Sequence, residues 1–179
     1  MYFEEAQQRR NKFFGDRPSG IDDRKSSHFY DHIIESFPIN GPRNIAFVVV
    51  AHLVHTLPPF LAALSKLGVI AAIIPKQSSC VESVVTSIRT LYGDLIKPGM
   101  TKERLQKADS TSDSALKDLF TSNPPFNNHQ YIILDHGGYF APQMENLKKF
   151  SNILGIVEHT WNGEIRYKEN ILKEEQCYP

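Results

Sequence analysis

The chain has no apolar run long enough to cross a membrane. Its longest, Ile45 to Leu57, is interrupted by His52, His55 and Thr56, and a spanning helix needs about 20 predominantly apolar residues. The first ten residues, Met1 to Arg10, lack the apolar stretch of a secretory signal. Cysteine is scarce: Cys80 and Cys177 are the only two, too few and too far apart for a disulfide framework or a zinc ribbon, which suits a reducing, cytoplasmic setting. Charge of one sign is not in excess either. Lys and Arg number 20 against 20 Asp and Glu, and without a basic stripe nothing selects nucleic acid or a membrane surface as partner. Also missing are a Gly-x-Gly-x-x-Gly turn, a phosphate-binding P-loop, a nucleophile elbow and a Cys-x-x-Cys pair, so the chain carries no dinucleotide fingerprint of its own. These absences leave a chain of 179 residues, a size that buries its own core as one domain.

Within it, apolar runs alternate with helical patterns. Residues 1–43 form a polar lead-in punctuated by Gly and Pro, with a short helix expected from Ser27 to Phe37 and packing on the domain edge. Asn44 to Val50 reads as a central parallel strand covered on both faces. The stretch Pro58 to Gly68 has prolines at a helix start and a glycine at its C′ position. A strand over Val69 to Ile74 follows, stopped by Pro75, and Ser78-Ser79 would cap a helix from Cys80 to Leu91. Pro98 to Ser114 shows no clear period before a short helix over Ala115 to Phe120. After Asn123-Pro124-Pro125, the pattern predicts a strand over Gln130 to Leu134, a helix over Pro142 to Phe150, a strand over Ile153 to Val157 and a last helix from Asn162 to Lys173. This is the signature of a three-layer α/β/α domain, Rossmann-like or flavodoxin-like, with a mostly parallel sheet over residues 44–179. Cys177-Tyr178-Pro179 reads as the lead-in to a further strand, so the expectation is a domain cut between elements.

Three segments at strand ends concentrate the polar chemistry: Ala51-His52-Leu53-Val54-His55-Thr56, Leu134-Asp135-His136-Gly137-Gly138 and Val157-Glu158-His159-Thr160. Open α/β sheets bind ligands outside the carboxyl ends of their strands. If the strands are parallel neighbours, His52, Asp135 or His136, and Glu158 or His159 therefore share one crevice. His52 and His55 would form a metal pair on a helix, whereas in a turn one ring can cap a helix and the other face water. Gly137-Gly138 permits positive φ or a close approach to a ligand, and Asp135 beside it can hold a ribose or metal or cap the next helix. Glu158 is equally open to a ligand or to an ion pair with Arg166 or a lysine, and Thr160 to an N-cap.

In these segments the chain resembles the amino-terminal, substrate-binding half of adenosylhomocysteinases. That family has a strand ending in histidine, a helix closing on Leu-Gly-Ala, an Ile-Leu-Asp-Asp-Gly-Gly turn and a Gly-Ile-Ser-Glu-Glu-Thr-Thr-Thr-Gly segment. The corresponding residues are Ala51-His52, Leu67-Gly68-Val69, Ile133-Leu134-Asp135-His136-Gly137-Gly138 and Gly155-Ile156-Val157-Glu158-His159-Thr160-Trp161-Asn162-Gly163, in order from Asn44 to Pro179. The resemblance implies an NAD-dependent thioether hydrolase that splits S-adenosylhomocysteine after oxidising its ribose, the cofactor carrying the hard step. It further implies His52 as the catalytic acid/base, Asp135, His136, Glu158 and His159 at the substrate, and Thr160 at the cofactor.

His136 and His159 stand where the family has carboxylates, which replaces acceptors for ribose hydroxyls with imidazoles. The family's catalytic lysine, its aspartate and its NAD domain match nothing up to Pro179. The expectation is a divergent domain for a nucleoside-type small molecule, inactive as this chain alone and not holding NAD alone, with a downstream NAD domain or a second copy as partner. Two alternatives stand beside it: zinc bound by His52, His55, His136 and His159, and a non-catalytic interaction or regulatory domain.

Overall fold

The β-branched run of nine residues Ile45–Leu53 forms strand β1, and its side chains feed two separate cores. A computed structural model describes residues 23–36, 44–107, 110–121, 126 and 128–176. Ala46, Val48 and Val50 point to one face of the sheet, and Phe47, Val49 and Ala51 to the other. Alternation on a strand buried on both sides requires apolar residues at every position, which is why the run is continuous.

Helix α1 (Asp23–Ser36) precedes β1, and helix α2 (Leu57–Leu64) follows it. Strand β2 (Val69–Cys80) and helix α3 (Glu82–Tyr92) come next. Two short helices, α4 (Lys102–Gln106) and α5 (Ser110–Phe120), lead to β3 (Gln130–Asp135). A 3-10 turn at Ala141–Gln143, a one-turn helix α6 (Met144–Leu147), strand β4 (Ile153–Glu158) and helix α7 (Trp161–Gln176) complete the order.

All strands pair in parallel in the order β2-β1-β3-β4, so the domain is the expected three-layer α/β/α type. Leu57, Leu61 and Leu64 of α2 and Val84, Val85 and Ile88 of α3 cover one face. Leu105 of α4, Leu116, Leu119 and Phe120 of α5, and Leu147 of α6 cover the other. The chain leaves β1 toward β2 and returns to β3 on its far side, and this reversal of direction opens a crevice at the carboxyl ends of β1 and β3. Helix α1 packs on α2 beside that crevice, with the Tyr30 and Phe60 rings 5.5 Å apart and Lys66 paired to Asp31 at 2.7 Å. Among the described residues no helix is long and apolar enough to cross a membrane.

Several sequence expectations need correction. Pro75 does not stop β2, which runs to Cys80. β2 is an edge strand, where a residue without an N–H is tolerated, and Pro75 still pairs with Ala51. Ser78-Ser79 does not cap α3, since Val81 holds that place without a side-chain bond. Helix α2 ends at Leu64 with Ser65 as its C-cap, so Gly68 lies beyond the C′ position. β1 extends past Val50, and His52 is therefore a strand residue. The stretch after Pro98 contains α4, its start capped by the Thr101 hydroxyl, which accepts from the Arg104 N–H at 3.2 Å. The helix expected over Pro142 to Phe150 is only the 3-10 turn and α6. β4 is an edge strand with one face open, Leu154 and Val157 being 52% and 53% exposed. Residues 1–22 and 37–43 of the lead-in, Asn123-Pro124-Pro125 and Cys177-Tyr178-Pro179 lie outside the described residues.

Candidate functional site

Three imidazoles stand in a row across the carboxyl ends of β1, β3 and β4. The His52 and His136 rings meet edge to face with centroids 4.5 Å apart, and His136 and His159 repeat the contact at 4.2 Å. All three line a groove of about 540 Å³ whose other walls are apolar, with Tyr30 of α1, Phe60 of α2, Leu134 of β3 and Val157 of β4. His55, in the turn after β1, is not among the lining residues.

Burial, then the nearby Lys76 ammonium and then His159 hold His52 down at about 4. His136 is also lowered to about 4, by burial first, then by Lys76 and the other two imidazoles, against the opposing Glu158 carboxylate. Both rings are therefore neutral near pH 7, each offering one donor and one acceptor nitrogen.

The two acidic residues lie on the other side of the same strand ends. Asp135 is fully buried. Its carboxylate accepts the His136 N–H at 2.7 Å, the Phe140 N–H at 3.0 Å and the Tyr167 hydroxyl at 2.6 Å. Burial raises its pKa and the Glu158 charge adds to the rise, against those three bonds. Asp135 thus ties the turn after β3 to helix α7.

Glu158 closes the same turn from β4. Its carboxylate accepts the Gly137 N–H at 3.1 Å, the Gly138 N–H at 2.8 Å, the Thr160 N–H at 2.7 Å and the Thr160 hydroxyl at 2.6 Å. Burial opposes its ionisation, but these donors outweigh burial and hold the carboxyl below its ordinary range. Gly137 and Gly138 have φ of 91° and 66°, a left-handed pair that points successive N–H groups at one anion. Glu158 is that anion. A Cβ at Gly163 would run into the Glu158 carboxyl group, so the first turn of α7 needs glycine there.

Thr160 caps α7, its hydroxyl oxygen accepting the Gly163 N–H at 3.1 Å while its proton goes to Glu158. A hydroxyl committed in both directions does not fit the cofactor contact that the resemblance implies for Thr160. The T-shaped ring row likewise does not gather ligands around a point, and among the described residues no group of three or more His, Cys, Asp or Glu is arranged to hold a metal ion.

The structure thus brings His52, His136 and His159 together and sends Asp135, Glu158 and Thr160 into the framework. Sequence reasoning missed Lys76, Tyr30 and Phe60. Between Ala51↔Pro75 and Leu53↔Cys80, β2 spends residues 76–79 opposite the single residue His52, and this bulge delivers Lys76 to the imidazole row. A proline inside a strand was the available signal for such a bulge. Comparison with known protein families, curated proteins and solved structures returns no match.

Proposed function

We propose that this domain binds a nucleoside-type small molecule in the histidine-lined groove, following the plan of the substrate domain in the adenosylhomocysteinase-like resemblance. The observation that carries the reading is the row His52-His136-His159 at the strand-order reversal, opening into an apolar groove of about 540 Å³. Small-molecule sites favour that place in the fold, span roughly 300–1,000 Å³ and combine apolar walls with a few polar groups. A flat heterocycle fits the chemistry: its faces lie against Phe60, Tyr30 and Val157, and its ring nitrogens and amino groups meet neutral imidazoles.

The same electrostatics favours recognition over proton transfer. General bases work best with a pKa near the operating pH, and an imidazole held at about 4 is a weak base at pH 7. A cytoplasmic setting suits Cys80, a buried free thiol.

Isothermal titration with adenosine, adenine and ribose tests the reading. Adenosine and adenine should bind while ribose does not, and His136→Ala should weaken adenosine about tenfold without lowering the melting temperature by more than a few degrees. Absence of adenosine binding at millimolar concentration, or identical affinity in His136→Ala, would overturn it.

A further inference from the structure

Beside the histidine row, three half-buried cations converge on one peptide group. The Lys102 ammonium donates to the Gly137 carbonyl at 3.4 Å, and the Arg166 guanidinium donates to the same oxygen at 3.2 Å. The Lys76 ammonium lies 3.1 Å from where a Cβ on Gly137 would be. Lys76 and Lys102 also both approach the Tyr139 ring, at 5.9 and 5.8 Å from its centroid. They come from the β2 bulge, from α4 and from α7, elements that share no local sequence.

Such a gathering ordinarily serves to neutralise buried carboxylates, and Asp135 and Glu158 are close enough to act on Lys76 electrostatically. Their hydrogen bonds, however, go elsewhere: Asp135 to two backbone N–H groups and Tyr167, Glu158 to the Gly137-Gly138 turn and Thr160. Among the described residues none of the three cations has a carboxylate oxygen within ion-pairing distance. Mutual repulsion among half-buried like charges is unfavourable, and an anionic ligand would relieve it.

We infer that Lys76, Lys102 and Arg166 form an oxyanion subsite beside the histidine-lined groove, and that the ligand is a phosphorylated nucleoside. Three cations suit a phosphomonoester, which carries about −1.5 to −2 charges at pH 7, better than a single carboxylate. Arg166 supplies planar paired donors and the lysines supply point charges. Lys76 joins the two halves, since it is the cation that acts on both His52 and His136. The identity of the ligand body rests on the nucleoside reading above, whereas the oxyanion subsite stands on the cation geometry.

The test is isothermal titration at pH 7.5 and low salt with adenosine, adenosine 5′-monophosphate, adenosine 5′-carboxylate and inorganic phosphate. The monophosphate should bind at least about tenfold tighter than adenosine, with the carboxylate between them, and added salt should narrow the gap. Lys76→Gln and Lys102→Gln should each remove most of the gap with the melting temperature in place, and Lys102→Gln should leave adenosine affinity unchanged. Lys117→Gln, an exposed lysine of α5, should change nothing. Equal affinity for adenosine and its monophosphate would overturn the subsite and leave the nucleoside reading standing. Phosphate binding that is lost in Lys76→Gln, with no adenosine binding, would keep the subsite and overturn the nucleoside body. Binding of none of the four ligands would overturn both.

Discussion

Lowering the pH should destabilise this fold earlier than its carboxylates alone would dictate, because two imidazoles are held neutral. His52 and His136 both fall from an ordinary 6.5 to about 4 in the folded state. Between those values the unfolded chain binds protons that the folded chain refuses, and stability falls wherever the unfolded state binds more protons. The contribution is therefore complete above about pH 6.5 and is lost as pH drops toward 4. Unscreened, a fall from 6.5 to about 4 corresponds to about 3 kcal/mol per ring. The rings line an open groove where solvent screens them, and they share Lys76 as a perturbing charge, so the two losses overlap. We expect the pair to cost about 2 kcal/mol between pH 7 and pH 5.

Urea unfolding followed by far-ultraviolet circular dichroism at pH 7.5, 6.5, 5.5 and 5.0 measures this directly, provided the denaturant slope stays constant. The two carboxyl groups on the other side of the strand ends titrate too. Glu158, with its lowered pKa, loses its contribution only below the ordinary carboxylate range, and Asp135, with its raised pKa, favours the folded state as pH falls. A His52→Gln/His136→Asn variant retains both carboxylates and removes only the imidazole contribution. Its stability should be flatter than wild type by about 2 kcal/mol over the same range. A wild-type profile that is flat from pH 7 to 5, or a variant with an unchanged slope, would refute the reasoning.

Other substitutions probe the framework. Glu158→Ala should cost roughly 2–4 kcal/mol in chemical denaturation, since it strips the Gly137, Gly138 and Thr160 donors of their acceptor. Gly163→Ala should destabilise by about 1–3 kcal/mol through collision with the Glu158 carboxyl group, and the two losses should be strongly non-additive when combined, because each disturbs the same contact. Tyr167→Phe leaves the fully buried Asp135 with one donor fewer and should cost about 1–3 kcal/mol. Leu61→Ala, in the fully buried face of α2, should cost about 2–5 kcal/mol with no change in groove chemistry.

The parts of the fold that could be read in advance are those decided by short-range pattern. A strand covered on both faces must be apolar at every position, so β1 and β3 stand out in the sequence. The parts that could not be read depend on neighbours. Pro75 is acceptable because β2 happens to be an edge, and no local feature announces that. Helix α4 buries a single leucine, Leu105, so it has no apolar period to detect. Lys76 sits among polar residues after a proline, and only the pairing of Leu53 with Cys80 turns those residues into a bulge over His52.

The division of labour at the strand ends follows from the period of two. Successive side chains on a strand point to opposite faces, and the alternation carries past the end of each strand here. Leu134 and His136 face the groove while Asp135 faces the opposite core; Val157 and His159 face the groove while Glu158 turns inward. Adjacent acid and imidazole therefore point to opposite sides of the strand ends. The carboxylates, placed where buried backbone N–H groups need acceptors, became the staples of the Gly137-Gly138 turn and the start of α7. The imidazoles, placed on the open side, met one another across three strands. With neutral His52 and His136 rings on that side and no carboxylate among its described lining residues, the groove keeps its hydrogen-bonding groups without negative charge. Under the reading proposed above, a ligand that a carboxylate-lined crevice would repel is admitted here, which links the histidine row to the cations around Gly137.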